Sequence, residues 1–212
     1  MSNTAYTSFL PKVSPEVPGC PLSVAEDAVR EAAIEFCEKS WAWIYTHDAI
    51  SSIANEGVYP FEPPTGALVS RVLQAWYESR ELIPRTADQL SEEYQNWTTA
   101  TGSPKYMVQD NEDELIIVPK PTTNVSNAIT LRVCLKPTHA STAIETRLYE
   151  HYLNTISMGA KAKLMMMSDK PWANLKMAAT YQSLFEENTD AARYRAQKGY
   201  GRAVRRVVGS YF

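Results

Sequence analysis

From Ala128 to Lys136 the chain alternates: Ile129, Leu131, Val133 and Leu135 are apolar, while Thr130, Arg132, Cys134 and Lys136 stand between them. A period of two sends successive side chains to opposite faces of a pleated strand, so one face packs and the other meets water or a partner. Two shorter runs precede it, Tyr106–Val108 and Glu114–Val118. The polar stretches Asp110-Asn111-Glu112-Asp113 and Thr122 to Asn127 divide the three. Short polar turns between such runs predict an antiparallel meander.

At Ile144 the period changes. Leu148, Tyr149, Tyr152, Leu153, Ile156, Ala160 and Leu164 recur at helical spacing, predicting a helix over 144–167. Ser168 to Pro171 interrupts it. Asp169 can cap a second helix over 171–198, with Ala173, Met177, Tyr181, Leu184, Phe185 and Ala192 inward. Two long helices joined by so short a link form an αα-hairpin.

Upstream, residues 1–21 are polar and carry Pro11, Pro15, Pro18 and Pro21, which predicts an extended N-terminal arm. Ser23 and Glu26 have capping-box spacing, and Ala25, Ala28, Val29, Ala32, Ala33, Phe36, Cys37 and Trp41 form one stripe, so a helix is expected over 23–41. A β region is expected over about 43–79, with strands at 43–53 and 67–79 and a Pro-rich loop at 57–66 between them. A short helix over 86–97 would turn Leu90, Tyr94 and Trp97 inward, and a second β region covers 105–137. The sum is an α+β fold: a helical bundle with a long C-terminal αα-hairpin and an inserted antiparallel β-sheet, plus extended N- and C-terminal arms.

The composition excludes more than it assigns. A net charge of −3 does not suit a protein that coats DNA or an anionic membrane. Cys20, Cys37 and Cys134 are too far apart for a disulfide framework or a metal pair, so buried, reduced thiols are expected. No stretch is apolar enough to span a membrane, and Met1 to Val13 lacks the apolar run of a signal peptide. His47, His139 and His151 show no metal-ligand spacing, and there is no nucleophile elbow or phosphate loop; Gly199-Tyr200-Gly201 follows a helix instead of opening one. Glu186, Glu187 and Asp190 read as a solvated helix face, Asp110 to Glu114 as an exposed acidic turn, and Met165 to Met167 as gap-filling core. No catalytic residue, metal or cofactor is expected, and the chain reads as a structural protein.

The tail differs from the rest. Arg193, Arg195, Lys198, Arg202, Arg205 and Arg206 are accompanied by no acidic residue after Asp190. The macrodipole of a helix end accounts for Lys198. It does not account for Arg202, Val204, Arg205, Arg206, Val207, Val208, Tyr211 and Phe212, which lie past a glycine cap and combine arginine with valine and aromatic rings. Such side chains anchor interfaces. Residues 199–212 are therefore expected to be a docking arm, with nucleic acid as the competing partner through phosphate contacts.

Several segments carry a family resemblance. They are Val17-Pro18-Gly19-Cys20-Pro21; the helix Ala28 to Cys37 with Trp41; Gly102-Ser103-Pro104-Lys105-Tyr106 leading to Leu115-Ile116-Ile117-Val118-Pro119; Ile129 to Val133 before Lys136-Pro137; and Ala178-Ala179 with Tyr181 in the last helix. Over residues 15–198 the chain resembles the head-to-tail adaptor (connector) proteins of short-tailed bacteriophages. The resemblance implies an adaptor domain over 22–198 in a homo-oligomeric, twelve-fold ring beneath the portal protein. It also implies a tail tube or nozzle protein below, and genomic DNA passing through the channel on ejection. The arm would bind the portal, in a virion assembled in the host cytoplasm and without a membrane partner. A small nucleic-acid-binding protein using the basic arm is the alternative.

Overall fold

In the computed structural model, which describes residues 2–199, the first residues are not an extended arm. Strand β1 (Asn3–Ala5) runs through a 3₁₀ turn, Tyr6–Phe9, into helix α1 (Leu10–Val13) and a second 3₁₀ turn, Ser14–Glu16. Pro11 and Pro15 stand in the first turns of these helices, where the missing N–H has no partner to lose. Tyr6, Phe9, Val13 and Val17 are all buried. Two of the prolines that suggested an extended chain, Pro11 and Pro15, instead start helical turns, and Pro21 immediately precedes the next helix.

Helix α2 (Leu22–Ser40) buries Ala25, Ala28, Val29, Ala32, Ala33, Phe36 and Cys37. It begins after Pro21 with no side-chain cap, so Ser23 and Glu26 lie inside the helix and form no capping box. Trp41 ends it in the left-handed region, at φ 56° and ψ 26°, with its N–H on the Cys37 carbonyl at 3.1 Å. Glycine is the usual residue there; a side chain in that conformation costs about 1–2 kcal/mol.

Residues 43–142 form a compact unit of their own. Its elements are β2 (Ile44–Ser52), β3 (Val58–Pro60), β4 (Ala67–Tyr77), β5 (Arg80–Glu81), β6 (Ile83–Pro84), α3 (Ala87–Glu93), β7 (Tyr106–Val108), β8 (Glu114–Val118) and β9 (Val125–Pro137). They make two four-stranded sheets, ordered β2-β9-β4-β5 and β3-β8-β7-β6. The expected meander is therefore corrected. β7 and β8 do pair antiparallel, but β9 leaves them and runs antiparallel between β2 and β4. Its side chains explain this: Ala128 and Cys134 are buried together with Ile129, Leu131, Val133 and Leu135, so little of the strand suits an edge.

The loop at 57–66 is also corrected, because it contains β3, whose closing Pro60 sits on an edge strand. Helix α3 is shorter than expected, ending at Glu93 where Tyr94 takes extended φ/ψ. Its buried Leu90 packs with Val108 and Val118, with Trp97 and Tyr106 alongside.

Residues 2–42 and 143–199 make the other unit. Here β10 (Ala143–Glu145) pairs antiparallel with β1, so the residues expected to open a helix are a strand. Helix α4 (Thr146–Met165) and helix α5 (Leu175–Lys198) then form the αα-hairpin. Asn174, not Asp169, caps α5, accepting the Met177 N–H at 3.1 Å; Asp169 lies in the link at φ 59°. The inward stripe of α5 is Ala178, Phe185, Thr189 and Ala192, while Met177 and Leu184 are exposed. Helices α2, α4 and α5 pack against one another and are in close contact at Gly159, where a Cβ would stand 2.8 Å from the Phe185 ring and 3.1 Å from the Ala32 methyl.

The expected class, a helical bundle with one inserted sheet, is thus corrected, as is the extended N-terminal arm; the expected C-terminal arm lies outside the described residues. The chain is an α+β protein rich in sheet, with five α-helices and three sheets among the described residues. One of those sheets, β1–β10, belongs to the helical unit, because the N-terminal segment folds back there.

Candidate functional site

The second half of α5 separates its charges along the helix. Exposed Glu186, Glu187 and Asp190 are followed by exposed Arg193, Arg195 and Lys198, the order that a helix dipole favours. The helix ends at Gly199, at φ 69°, with its N–H on the Arg195 carbonyl at 2.8 Å. Two cation–π contacts mark this end. The Arg193 guanidinium lies 4.3 Å from the Trp41 ring centre, and the Lys198 ammonium 5.6 Å from that of Tyr194.

Lys39, near the end of α2, is held above the usual lysine range, first by its hydrogen bond to Glu35; burial opposes the shift, and the charges of Glu35, Glu186 and Asp190 add to it. The ends of α2 and α5 are therefore joined by charge and by stacking. The docking-arm residues Arg202, Val204, Arg205, Arg206, Val207, Val208, Tyr211 and Phe212 lie outside the described residues; what is described is the root from which they continue.

A second polar cluster sits among the helices. Lys161, largely buried on α4, donates to Glu16 at 2.6 Å, and the Tyr181 hydroxyl of α5 donates to the other Glu16 oxygen. The Lys161 ammonium also stands 5.0 Å from the Tyr181 ring centre. Burial alone would raise the Glu16 carboxyl, but the bonds from Lys161 and Tyr181, with the Lys161 charge, outweigh it and hold the carboxyl below the usual carboxylate range. Tyr181 is pushed up to about 12, chiefly by its bond to Glu16 and then by burial and the Glu16 charge. Glu35 repeats the pattern: its bonds from Lys39 at 2.7 Å and the Lys163 ion pair at 2.9 Å outweigh burial and lower it. Sequence reasoning missed Glu16 because its partners lie 145 and 165 residues away.

The remaining candidates have structural roles. His47 is buried; its Nδ1–H donates to the Asp48 carbonyl at 2.7 Å and its Nε2 accepts the Glu62 N–H at 2.9 Å, which ties the following loop to β2. The acidic turn is organised by Asn111, whose Oδ1 accepts the N–H groups of Asp113 and Glu114 at 2.9 and 3.0 Å. Lys136 pairs with Glu112 at 2.6 Å. Cys37 and Cys134 are buried thiols outside any disulfide, and burial pushes Cys134 up to about 12; Cys20 is partly exposed. A cavity of about 520 Å³ in the sheet unit has Arg71, Arg85 and Gln89 facing Gln109, Asp110 and Glu112, a lining of both signs. Among the described residues no group of His, Cys, Asp or Glu is placed to hold a metal ion, and no helix is long and apolar enough to cross a membrane.

No curated protein matches the chain. A family model does, that of the SU10 adaptor protein, and it spans residues 4–207. The match takes in the folded N-terminal segment, both units, and the root of the tail with its first basic residues. By that match the chain belongs to the SU10 adaptor protein family, consistent with a phage head-to-tail adaptor.

Proposed function

We propose that copies of this chain form a ring, twelve-fold beneath a twelve-fold portal, that joins the portal protein to the tail tube or nozzle protein and encloses the channel for genomic DNA. Residues 22–198 act as the adaptor domain and residues 199–212 as a portal-docking arm, with Tyr211 and Phe212 as its anchor. The role is structural and non-catalytic, within a virion put together in the host cytoplasm. The observation that carries this reading is the family match over residues 4–207, joined to a tail of arginine, valine and aromatic residues that no helix end requires.

A ring suits the chemistry of such a chain. Each subunit must offer its neighbours two different faces as well as axial contacts, which a fold of two units provides room for. A net charge of −3 suits a channel through which DNA slides without being held.

Truncation after Lys198 is the test. The protein is expected to fold as before, by circular dichroism and thermal melting, because the buried residues of α5, Ala178, Phe185, Thr189 and Ala192, all precede the cut. Association with rings of the cognate portal protein, seen by electron microscopy, is expected to fall sharply. Normal assembly of the truncated chain would refute the arm as a docking element. Loss of a steeply salt-dependent DNA affinity, with portal association intact, would move the arm to nucleic acid.

A further inference from the structure

The end of α2 contains an unusual choice of residue. A left-handed helix cap is normally glycine, and a bulky side chain at φ 56° is an outlier whose presence points to a role for the ring itself. The Trp41 indole has such a role: it lies against the Arg193 guanidinium at 4.3 Å. Arg193 is six residues before Gly199, fewer than two helical turns from the point where the tail departs. The same end of α2 brings Lys39 into the field of Glu186 and Asp190 on α5. About two turns further back, the helices are in close contact through Ala32, Gly159 and Phe185. The last turns of α5 extend past that contact, and the stack reaches them there.

We propose that Trp41 and Arg193 are positioning residues for the root of the C-terminal segment: their stack holds the last turns of α5, as far as Gly199, closed against the end of α2. This rests on the docking-arm reading above. A helix end that frays lets its continuation sweep many directions, and each ordering event on docking then costs conformational entropy. A held end fixes the point from which the segment continues.

The test separates the ring from the cap. W41G keeps, and eases, the left-handed turn while removing the indole; R193Q removes the cation; R193K keeps a cation able to stack. In the full-length protein, W41G and R193Q are expected to leave the melting temperature within a degree or two of the parent, by the usual smallness of surface changes. Amide exchange at 195–199 is expected to quicken about two- to fivefold, the worth of an exposed cation–π contact. Binding to immobilised cognate portal protein is expected to weaken by a similar factor, with R193K recovering part of both effects.

Unchanged exchange at 195–199 in W41G would overturn the proposal at its first step. Faster exchange with parental portal binding, while truncation after Lys198 still abolishes binding, would overturn the positioning role and leave the docking arm standing. Portal binding that survives truncation would remove the docking arm and the positioning role together.

Discussion

The two units of the chain are stabilised in different ways. In the sheet unit the large fully buried side chains are aliphatic, among them Leu82, Leu115, Ile117, Ile129, Leu131 and Leu135, and backbone ladders on both sides of β9 set the register. In the helical unit aromatic rings, Tyr6, Phe9, Phe36 and Phe185, fill the interior, and carboxylates cross-link the elements: Glu16 to Lys161 on α4 and Tyr181 on α5, and Glu35 on α2 to Lys163 on α4. A sheet obtains its alignment from its backbone hydrogen bonds. Packed helices have no such ladder between them, and specific polar pairs are one way to fix their mutual register. The difference is chemical, so it can be tested with acid, with cavities and with caps.

The largest effect is expected from opening the helical interior. Phe185 is fully buried, and its ring occupies the space that Gly159 leaves on α4. Phe185→Ala should cost about 3–5 kcal/mol, because helices already in contact at Gly159 have little room to close over the void. Denaturant unfolding measures the loss. Amide exchange in β9, read on the same samples, sharpens the comparison. Protection retained there while α4 and α5 lose theirs would separate the units energetically. Equal loss in both would mean that they unfold together despite their different chemistry.

Acid gives the next effect. Glu16 and Glu35 both titrate below the ordinary 4.5 in the folded chain, so each contributes stability that is present above that value and lost as the pH falls through it toward the depressed one. The helical unit should therefore loosen first below about pH 4.5. Tyr181 adds an alkaline limit of opposite sign: raised from 10 to about 12, it contributes below pH 10 and stops contributing as the pH climbs past its folded value. Glu16→Gln should cost about 1–2 kcal/mol at neutral pH, less than breaking a fully buried pair, because the Glu16 side chain is 39% exposed. It should also flatten part of the acid limb in thermal melts between pH 7 and 3.5. A sheet unit that melts first in acid would break the comparison.

The outcome of reading the sequence follows the range of the forces involved. Local patterns were legible: the α2 stripe from Ala25 to Cys37, the alternation through β9, and the strand at 67–79. Pairing was not, since the apolar face of β9 says that a partner exists without saying which; only the fold shows β2 and β4 in place of β8. The N-terminal segment was misread because its prolines outweighed Tyr6, Phe9, Val13 and Val17. Their spacings of three and four residues were a helical signal in plain view. Asn174 was passed over as a cap for Asp169, although both are good caps, because the length of the link cannot be told from residue type. Of the candidate site, the composition of the tail was visible, but the Trp41–Arg193 stack was not: it joins residues on different helices, and Trp41 had been counted as one more member of an apolar stripe.

The smallest effect is expected at a cap in the sheet unit, and it bears on whether that unit is uniformly held. Helix α3 has seven residues, too few to be stable by propensity alone. It is closed at its start by a reciprocal pair: the Thr86 hydroxyl accepts the Gln89 N–H, and the Gln89 side chain accepts the Thr86 N–H, both at 3.2 Å. Thr86→Ala removes one bond and leaves the other without its counterpart, at a cost of about 1 kcal/mol. Because Leu90 anchors the helix to Val108 and Val118, the loss should appear as local opening and not as global unfolding. Exchange at the Leu90 and Tyr94 amides, which bond to the Thr86 and Leu90 carbonyls, should quicken about fivefold. The amides of β9 should not change. Thr86→Ser should restore the slow rate, since it keeps the hydroxyl; a serine variant as fast as alanine would show that the methyl packing of Thr86, not its hydrogen bond, holds the helix.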